Sequence, residues 1–192
     1  MQKITAVIIT LNEERNIERC LRSVLPVADE VIVVDSGSTD RTSEICHQYK
    51  VTFVQREWQG YAAAKNYGNT LASHDYILSI DADEVVSGEL AVSIVNCKAK
   101  LQGRYSFNRL TNYCGRWIRH CGWYPDEKVR LFDRRNTQWE GGYVHETLVS
   151  EKSVPTTKLT GDLHHYSFQS IGDHIEKIHA YSTLAAKKLH AE

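Results

Sequence analysis

The first half of the sequence alternates strand-length apolar runs with segments of helical periodicity. The apolar runs lie at 4–10, 30–34, 51–54 and 76–80, and each is nearly continuous. Such runs are typical of strands that are buried on both faces of a sheet. The alternation therefore predicts an α/β fold with a mainly parallel central sheet flanked by helices. In sheets of this kind, ligands bind beyond the carboxyl ends of the strands.

Helical signals fill the intervals between these strands. Asn12 is placed to cap a first helix, which Pro26 ends. Asp40 can cap a second helix that extends to about Tyr49. An alanine-rich helix over 61–71 follows. The last helix of this half has four apolar residues on one face: Leu90, Ile94, Val95 and Leu101.

The second half of the chain is richer in Tyr, Trp and Arg and has strand-like runs at 104–108 and 128–132. A final helix is predicted over about 172–189, and its apolar stripe comprises Ile175, Ile178 and Leu189. No linker or repeat separates the halves, so we expect one domain with two functional halves, 1–102 and 103–192. Because the sequence stops just after this helical pattern, it is consistent with a truncated chain.

Composition and charge limit the class of protein. The chain has 42% hydrophobic and 24% charged residues, a net charge of -1 and a pI near 6.8. These values are typical of a globular protein and provide no basic field, so no nucleic-acid partner is expected. The five cysteines contain no C-x-x-C pair, and neither a signal peptide nor an apolar run of ~20 residues is visible. We therefore expect a cytoplasmic protein whose contact with the inner membrane would be peripheral.

The fourth apolar run leads into two carboxylates, Asp81 and Asp83. On an extended chain, residues i and i+2 project to the same side, so both side chains can face one ligand. Carboxylate oxygens suit Mg²⁺ or Mn²⁺, which typically bind one or two carboxylates together with substrate phosphates. Both residues are candidate metal ligands, with Asp83 expected on the ion and Asp81 expected nearer a ribose or a metal-bound water. A solvated acidic loop is the alternative.

Two further polar clusters follow the first and second strands. Asp35 at the end of a strand can accept a hydrogen bond from a uracil N–H or a ribose hydroxyl, and Gly37 permits close approach of the backbone. Thr10, Asn12 and Glu13 end the first strand at the same predicted edge. Each cluster also has a simpler explanation, which is a turn around Asp35 and a helix cap at Asn12 and Glu13.

Several cations could meet a phosphate. Lys65, with Asn66 beside it, precedes the fourth strand and is a candidate contact to phosphate or ribose, and a solvated helix position is the alternative. Arg130 and Lys128 are candidates for a diphosphate or for an anionic acceptor.

Taken in order, the segments 10–13, 34–40 and 78–84 resemble the motifs of the GT-A glycosyltransferases of family two. The resemblance covers most of the chain. It implies a nucleoside-diphosphate-sugar donor bound by the half 1–102, with Ala82 among its contacts, a divalent metal and inversion at the anomeric carbon. The segment 123–132 together with 143–146 looks like the bacterial lipopolysaccharide-core glucosyltransferases. That likeness implies a UDP-sugar donor, UDP-glucose in particular, and a glycan or lipid-linked acceptor in cell-envelope synthesis.

An inverting transfer needs a base, because a free acceptor hydroxyl is a poor nucleophile. The base should come from the second half of the chain, away from the metal. Glu146 is the first choice, since it follows a glycine-rich segment and corresponds to the His-Glu element of the resembled subgroup. Asp126 is the second candidate, and an ordinary salt bridge is the alternative for either residue. Four aromatic residues can stack on sugars, lie at a membrane surface or pack in the core: Trp117, Trp123, Tyr124 and Trp139.

Rival functions remain open. A sugar nucleotidyltransferase would share the nucleotide and the metal but lacks its usual basic glycine-rich loop here, and a catalytically silent nucleotide- or carbohydrate-binding module is the other alternative. A dehydrogenase is disfavoured because no G-x-G-x-x-G follows the first strand. His164 or His165 is a candidate third metal ligand, and zinc on His164, His165 and Cys121 is a rival without supporting spacing. The transferred sugar, the acceptor, the linkage and the oligomeric state are not determined by the sequence.

Overall fold

The computed structural model of the protein describes residues 1–141, 146–150, 154–179 and 182. Its strands are β1 (Ile4–Thr10), β2 (Glu30–Asp35), β3 (Thr52–Gln55), β4 (Tyr76–Asp81), β5 (Glu84–Val86), β6 (Arg104–Tyr113), β7 (Arg116–Trp117), β8 (Asp126–Asp133), β9 (Thr137–Glu140), β10 (Thr147–Ser150) and β11 (Thr156–Phe168). Its helices are α1 (Ile17–Val24), α2 (Thr42–Cys46), α3 (Tyr61–Leu71) and α4 (Gly88–Cys97), and a further helix covers 171–179.

The first four strands form the parallel part of the main sheet. They lie in the order β3-β2-β1-β4, and every neighbouring pair is parallel. All of β1 is buried because its alternate residues pack on two different cores. Ile8 belongs to the core that includes residues of α1 and α4, whereas Val7 belongs to the core that includes residues of α3. The α/β class predicted from the apolar runs is confirmed.

Strands of the second half extend the same sheet. β8 pairs antiparallel with both β4 and β6, β11 pairs parallel with β6, and β5 pairs antiparallel with β11. The nine-stranded sheet is therefore parallel in its first four strands and mixed beyond them. The mainly parallel arrangement predicted from strand–helix alternation describes the first four strands, because α1, α2 and α3 connect them in turn, whereas no described helix lies between β6 and β11. A separate two-stranded sheet is formed by β9 and β10.

Helix boundaries differ from the predicted ones in three places. α1 begins well after Asn12, which adopts a φ of 53° and uses its side chain to accept a hydrogen bond from the backbone of Thr39 rather than to cap the helix. α2 is shorter than predicted and ends before Tyr49. Leu101 is buried but lies beyond the end of α4, and Val95 on that helix is exposed.

The helix at 171–179 agrees in position with the start of the predicted final helix. Its residues Ile175 and Ile178 are exposed, and the predicted stripe residue Leu189 lies outside the described residues. None of the described helices combines the length and the apolar character needed to cross a membrane.

α3 packs closely against β1 because residue 68 is glycine. A Cβ atom at Gly68 would lie 2.3 Å from Cγ1 of Val7 and 3.1 Å from Cγ2 of Val34. The first distance is far below carbon–carbon contact, so a side chain here would force the helix away from the sheet. Lys65 on the same helix reaches Asp81, the last residue of β4.

Candidate active site

A cleft of about 1120 Å³ opens at the carboxyl ends of β1 and β4. This is the edge of the sheet at which the sequence predicted a ligand. The first half contributes Thr10, Glu13, Ser36, Asp81, Ala82 and Asp83 to its wall. The second half contributes Arg130, Trp139, Glu146, His165 and Lys177, among others.

Asp81 ends β4 between two buried cations. Nζ of Lys65 lies 3.1 Å from Oδ1 of Asp81, and Nη2 of Arg130 lies 2.9 Å from Oδ2. Burial acts to raise the pKa of Asp81, but the charges of Arg130 and Lys65 outweigh it and hold that pKa well below its ordinary value. Both oxygens of Asp81 are thus ion-paired with cations of the protein, although Oδ1 accepts no hydrogen bond among the described residues. The predicted contact of Asp81 with a metal stays a prediction.

Arg130 is buried between two carboxylates. Its Nη2 also lies 2.9 Å from Oε1 of Glu84, which is completely buried. Oε2 of Glu84 in turn accepts a hydrogen bond of 3.0 Å from the backbone N–H of Asp81. Opposing charges on both sides raise the pKa of Arg130 despite its burial. Arg130 therefore holds the end of β4 in shape, and its predicted contact with the diphosphate stays a prediction.

Asp83 lies in the turn between β4 and β5 and faces two groups of the second half. Nε2 of His165 lies 3.2 Å from its Oδ2, and Nζ of Lys177 lies 3.7 Å from the same atom. The register of β11 against β5, which pairs His165 with Glu84, produces this contact. Burial acts to raise the pKa of Asp83, but His165 and Lys177 outweigh it and the pKa lies below its ordinary value.

The donor groups around Asp83 fit a hard divalent cation. Its carboxylate suits Mg²⁺ or Mn²⁺, and Nδ1 of His165 is a buried atom that has no hydrogen-bond partner among the described residues. Among the residues that the structure describes, no group of three His, Cys, Asp or Glu side chains is placed to hold one metal ion. Diphosphate oxygens and water would have to complete the shell, as is usual for Mg²⁺. The rival zinc set of His164, His165 and Cys121 is not assembled, and this alternative was wrong.

Glu13 borders the cleft with an unusual pKa of about 7. Burial is the main cause, the negative charge of Asp83 adds to it, and a hydrogen bond of 2.6 Å donated by Nδ2 of Asn16 to Oε2 of Glu13 opposes it. A carboxyl group with this pKa is partly protonated at neutral pH. Glu13 can therefore donate as well as accept a hydrogen bond toward a ligand.

Asp35 is buried, and its own turn binds its carboxylate. Oδ2 accepts hydrogen bonds of 3.0 Å from the N–H of Gly37 and 2.9 Å from that of Ser38. Gly37 has a φ of 96°, which favours glycine at this position of the turn. The simpler explanation of this cluster, a turn stabilised by an aspartate, is thus present in the structure. The predicted contacts of Asp35 and Gly37 with a nucleoside remain predictions.

The loop after β1 is bonded to the loop after β2. The N–H of Asn12 donates to Oγ of Ser38 over 2.8 Å, and Oδ1 of Asn12 accepts from the N–H of Thr39 over 2.8 Å. Oγ1 of Thr10 is buried in the cleft wall and has no partner among the described residues. These bonds join the two loops into one rim, where the sequence predicted nucleoside contacts.

The two candidate bases have different surroundings. Glu146 lines the cleft, and its Oε1 lies 2.8 Å from Nζ of Lys65. Asp126 is bound by Arg109 and Lys128, each at 2.8 Å, and these cations overcome the effect of burial and lower its pKa. The salt bridge that the sequence offered as an alternative is therefore formed at both residues, with one cation at Glu146 and two at Asp126. The glycine-rich segment before Glu146 includes 142–145, which lie outside the described residues.

The aromatic residues fall into three environments. Trp139 is buried in the cleft wall, with Nζ of Lys65 4.6 Å from its ring centroid. Trp117 and Trp123 are about one-third exposed, at 37% and 38%. The hydroxyl of Tyr124 donates a 3.0 Å hydrogen bond to Asp162.

Sequence reasoning missed several residues of the site. Glu84 lies next to the acidic pair in the sequence, but no local pattern indicated that its side chain would be completely buried. Lys177 reaches Asp83 only because the helix at 171–179 folds back over the cleft, and Arg109 meets Asp126 across β6 and β8. Trp58 lines the cleft from a loop without a motif, although an isolated tryptophan ahead of an alanine-rich helix was a visible clue.

A sheet that is parallel in its first four strands, with an acidic turn after β4 and a cleft beside that turn, is the arrangement of the GT-A glycosyltransferases. The model of the family described as Glycosyl transferase family 2 matches residues 5–141, and the chain belongs to this family. It is therefore a glycosyltransferase family 2 enzyme.

Relatives support this assignment over nearly the whole chain. The chain is 33% identical over 200 residues to an uncharacterised glycosyltransferase of Rickettsia typhi, covering 98% of this chain and 68% of the relative. It is 32% identical over 202 residues to the lipopolysaccharide core biosynthesis glycosyltransferase LpsC of Rhizobium meliloti, covering 95% of this chain and 70% of the relative.

Solved structures share the fold. TarS of S. aureus, residues 1–349 in complex with UDP, superposes with a TM-score of 0.51 at 25% identity. The match covers 61% of this chain and 38% of that one. The same protein in complex with UDP-GlcNAc gives a TM-score of 0.54 at 16% identity, covering 83% of this chain and 59% of that one.

Proposed function

We propose that the protein is a metal-dependent inverting hexosyltransferase that moves a sugar from a UDP-sugar, UDP-glucose in particular, to a glycan or lipid-linked acceptor of cell-envelope polysaccharide. The observation that carries the proposal is that Asp81, Asp83 and Glu146 line one cleft at the carboxyl ends of the parallel strands. The 32% identity to a lipopolysaccharide core glycosyltransferase supports the acceptor class.

The donor would lie across the rim formed by the loops after β1 and β2. Thr10, Glu13 and Ser36 provide polar groups along this wall. Nucleoside hydroxyls and base N–H groups need acceptors, and the buried Oγ1 of Thr10 and the carboxyl of Glu13 can supply them. The UDP-bound structure of TarS, at 25% identity, supports uridine as the nucleoside.

The diphosphate would face Asp83. Mg²⁺ or Mn²⁺ held by the Asp83 carboxylate, with His165 adjacent, would neutralise charge on the departing diphosphate. Lys177, whose Nζ is 3.7 Å from Asp83, is a second positive charge on this side of the cleft. Asp81 would keep the strand end in place and accept a ribose hydroxyl or a metal-bound water.

The acceptor hydroxyl would be deprotonated by Glu146. Lys65 binds Oε1 of Glu146, and the acceptor can approach Oε2. Glu146 is preferred to Asp126 because it lines the cleft, whereas Asp126 is paired with two cations. Trp139 and Trp58, which also line the cleft, offer aromatic surfaces for sugar rings. We place this reaction in the cytoplasm, with the acceptor presented at the inner membrane.

The test measures release of UDP from UDP-glucose, UDP-galactose and UDP-GlcNAc with Mn²⁺, with and without a lipid extract as acceptor. We expect release that depends on Mn²⁺ and increases with the extract. Glu146→Gln should lower kcat by about 10²–10⁴-fold. Glu127→Gln is the matched control, because Glu127 also borders the cleft but pairs with Lys158. Binding without UDP release would indicate a silent module, and consumption of UTP with a sugar phosphate would indicate a nucleotidyltransferase.

A further inference from the structure

Lys65 is a lysine in the protein core. It lies on α3, only 1% of its side chain is exposed, and it is one of the largest fully buried side chains among the described residues. Lysine is almost never fully buried unless its charge is paired, because desolvation of an ammonium is costly. An ammonium group at this position therefore needs specific partners, and those partners indicate what it does.

The partners of Lys65 come from both halves of the site. Nζ lies 3.1 Å from Oδ1 of Asp81 on the donor side and 2.8 Å from Oε1 of Glu146 on the acceptor side. The face of Trp139 adds a cation–π contact at 4.6 Å. Within the part of the chain that the structure describes, Lys65 is the one cation within ion-pair distance of both carboxylates.

Lys65 contacts the two carboxylates from the side of the protein core, whereas a substrate would reach them from the cleft. Asp81 and Glu146 both line the cleft and are 26% and 20% exposed, whereas Lys65 reaches them from the core. A donor phosphate would have to displace one of these carboxylates to reach Nζ. The sequence-based expectation that Lys65 binds phosphate or ribose is therefore not favoured by its burial.

We propose that Lys65 is a positioning residue that holds Glu146 at a set place relative to Asp81, and so fixes the acceptor's base against the donor. The inference rests on the proposed function, in which Glu146 is the base. Glu146 precedes β10, which belongs to the small β9–β10 sheet rather than to the main sheet. The ion pair with Lys65 connects this second-half residue to α3 and β4. Since a base acts only when it is correctly placed, misplacing it reduces kcat far more than donor affinity.

The experiment compares Lys65→Met, Lys65→Arg, Glu146→Gln and the double variant Lys65→Met/Glu146→Gln in the UDP-release assay, with wild type measured first. Lys65→Met should lower kcat by about 10–100-fold and change KM for the donor by less than about threefold. Lys65→Arg, which keeps the charge but must place a larger group in the same buried position, should retain more kcat than Lys65→Met. In the Glu146→Gln background, Lys65→Met should have almost no further effect, because the two residues act as a unit.

Lys98→Met is the matched control for loss of a largely buried ion pair. Lys98 is 12% exposed and lies 2.6 Å from Asp29. Asp29 accepts a hydrogen bond from the N–H of Ile4, so the pair lies at the amino ends of β1 and β2, away from the cleft at the carboxyl ends. We expect it to lower the melting temperature without changing kcat. If Lys65→Met behaves in the same way, Lys65 is only structural and the proposal is overturned. A large rise in donor KM at unchanged kcat would overturn it as well, since Lys65 would then bind the donor.

The assay also separates this proposal from the proposed function. If wild type releases no UDP from any donor, the proposed function fails and the positioning role fails with it. If wild type is active and Glu146→Gln keeps full turnover, the assignment of the base is wrong and Lys65 has no base to position. If Glu146→Gln is strongly impaired but still measurable, and Lys65→Met adds its own loss in that background, the base assignment holds and only the role of Lys65 is overturned.

Discussion

Nε2 of His165 lies 3.2 Å from Oδ2 of Asp83, so that β11 contributes directly to the acidic turn after β4. The contact places an imidazole beside the carboxylate that we assign to the metal. A neighbouring group that orients a metal ligand typically affects metal affinity by 10–100-fold. The pair therefore predicts that the second half of the chain contributes to cation binding.

His165→Gln should weaken Mn²⁺ binding in the presence of UDP by about tenfold. Electron paramagnetic resonance of free Mn²⁺ measures this affinity without reference to turnover. His164→Gln is the control, because His164 stacks on Trp117 at 4.5 Å and forms no ion pair with Asp83. Equal Mn²⁺ affinity in wild type and His165→Gln would contradict the assigned role.

Arg130→Met should destabilise the protein strongly. The change leaves Glu84 with only the more distant Arg109, whose Nη1 lies 3.6 Å from Oε1, and Asp81 with Lys65 alone. Breaking a buried ion pair from one side costs about 3–5 kcal/mol. Urea denaturation followed by circular dichroism measures the free energy of unfolding. Arg22→Met, which removes the exposed ion pair with Glu18, should change the urea midpoint very little. A midpoint for Arg130→Met close to that of wild type would show that this network contributes little to the fold.

Glu13 predicts a specific pH dependence of stability. Its folded pKa of about 7 lies above the ordinary value of 4.5, so the folded state holds the proton more tightly and stability is lost as the pH rises between those values. Glu13→Gln cannot ionise at this position. Its free energy of unfolding minus that of wild type should therefore be larger at pH 8 than at pH 4.5, by up to about 3 kcal/mol. Equilibrium unfolding of both proteins at the two pH values, with EDTA present, measures this difference in stability. A difference that does not change with pH would show that Glu13 ionises normally.

Gly68→Ala tests the packing of α3 on β1. The added methyl group would meet Cγ1 of Val7 at 2.3 Å, and overpacking of this kind costs about 1–3 kcal/mol, less the gain in helix propensity. Gly88→Ala is the control, because nothing lies within 4 Å of a Cβ atom there and Gly88 begins a helix. Thermal unfolding should show a lower melting temperature for the first variant and an equal or higher one for the second. The reverse order would contradict the described packing.

The first half of the fold was accessible from the sequence because its signals are local. The run at 4–10 matches β1, and the alanine-rich segment matches α3 residue for residue. The start of α1 was missed because Asn12 bonds to the loop at Thr39, and such loop-to-loop hydrogen bonds override local capping preferences. The end of α2 was missed because the N–H groups of Gln48 and Tyr49 bond three residues back instead of continuing the α-helix.

The site was only partly accessible, because several of its contacts depend on long-range register. The i, i+2 argument for Asp81 and Asp83 assumed an extended chain, but residues 82–83 form a turn and the two carboxylates meet different cations. Whether His165 or His164 faces Asp83 is decided by the pairing of β11 with β5, and a shift of one residue would exchange them. The burial of Lys65 likewise depends on packing that no local pattern reports.

The central claim is that this cleft binds a nucleoside diphosphate through a cation held at Asp83. Isothermal titration of UDP into the protein with Mn²⁺ and with EDTA tests it most directly, and Asp83→Asn serves as the comparison. We predict that Mn²⁺ strengthens UDP binding by about tenfold or more in wild type, and that Asp83→Asn abolishes this difference. Equal UDP affinity with Mn²⁺ and with EDTA, or an undiminished Mn²⁺ effect in Asp83→Asn, would contradict the account.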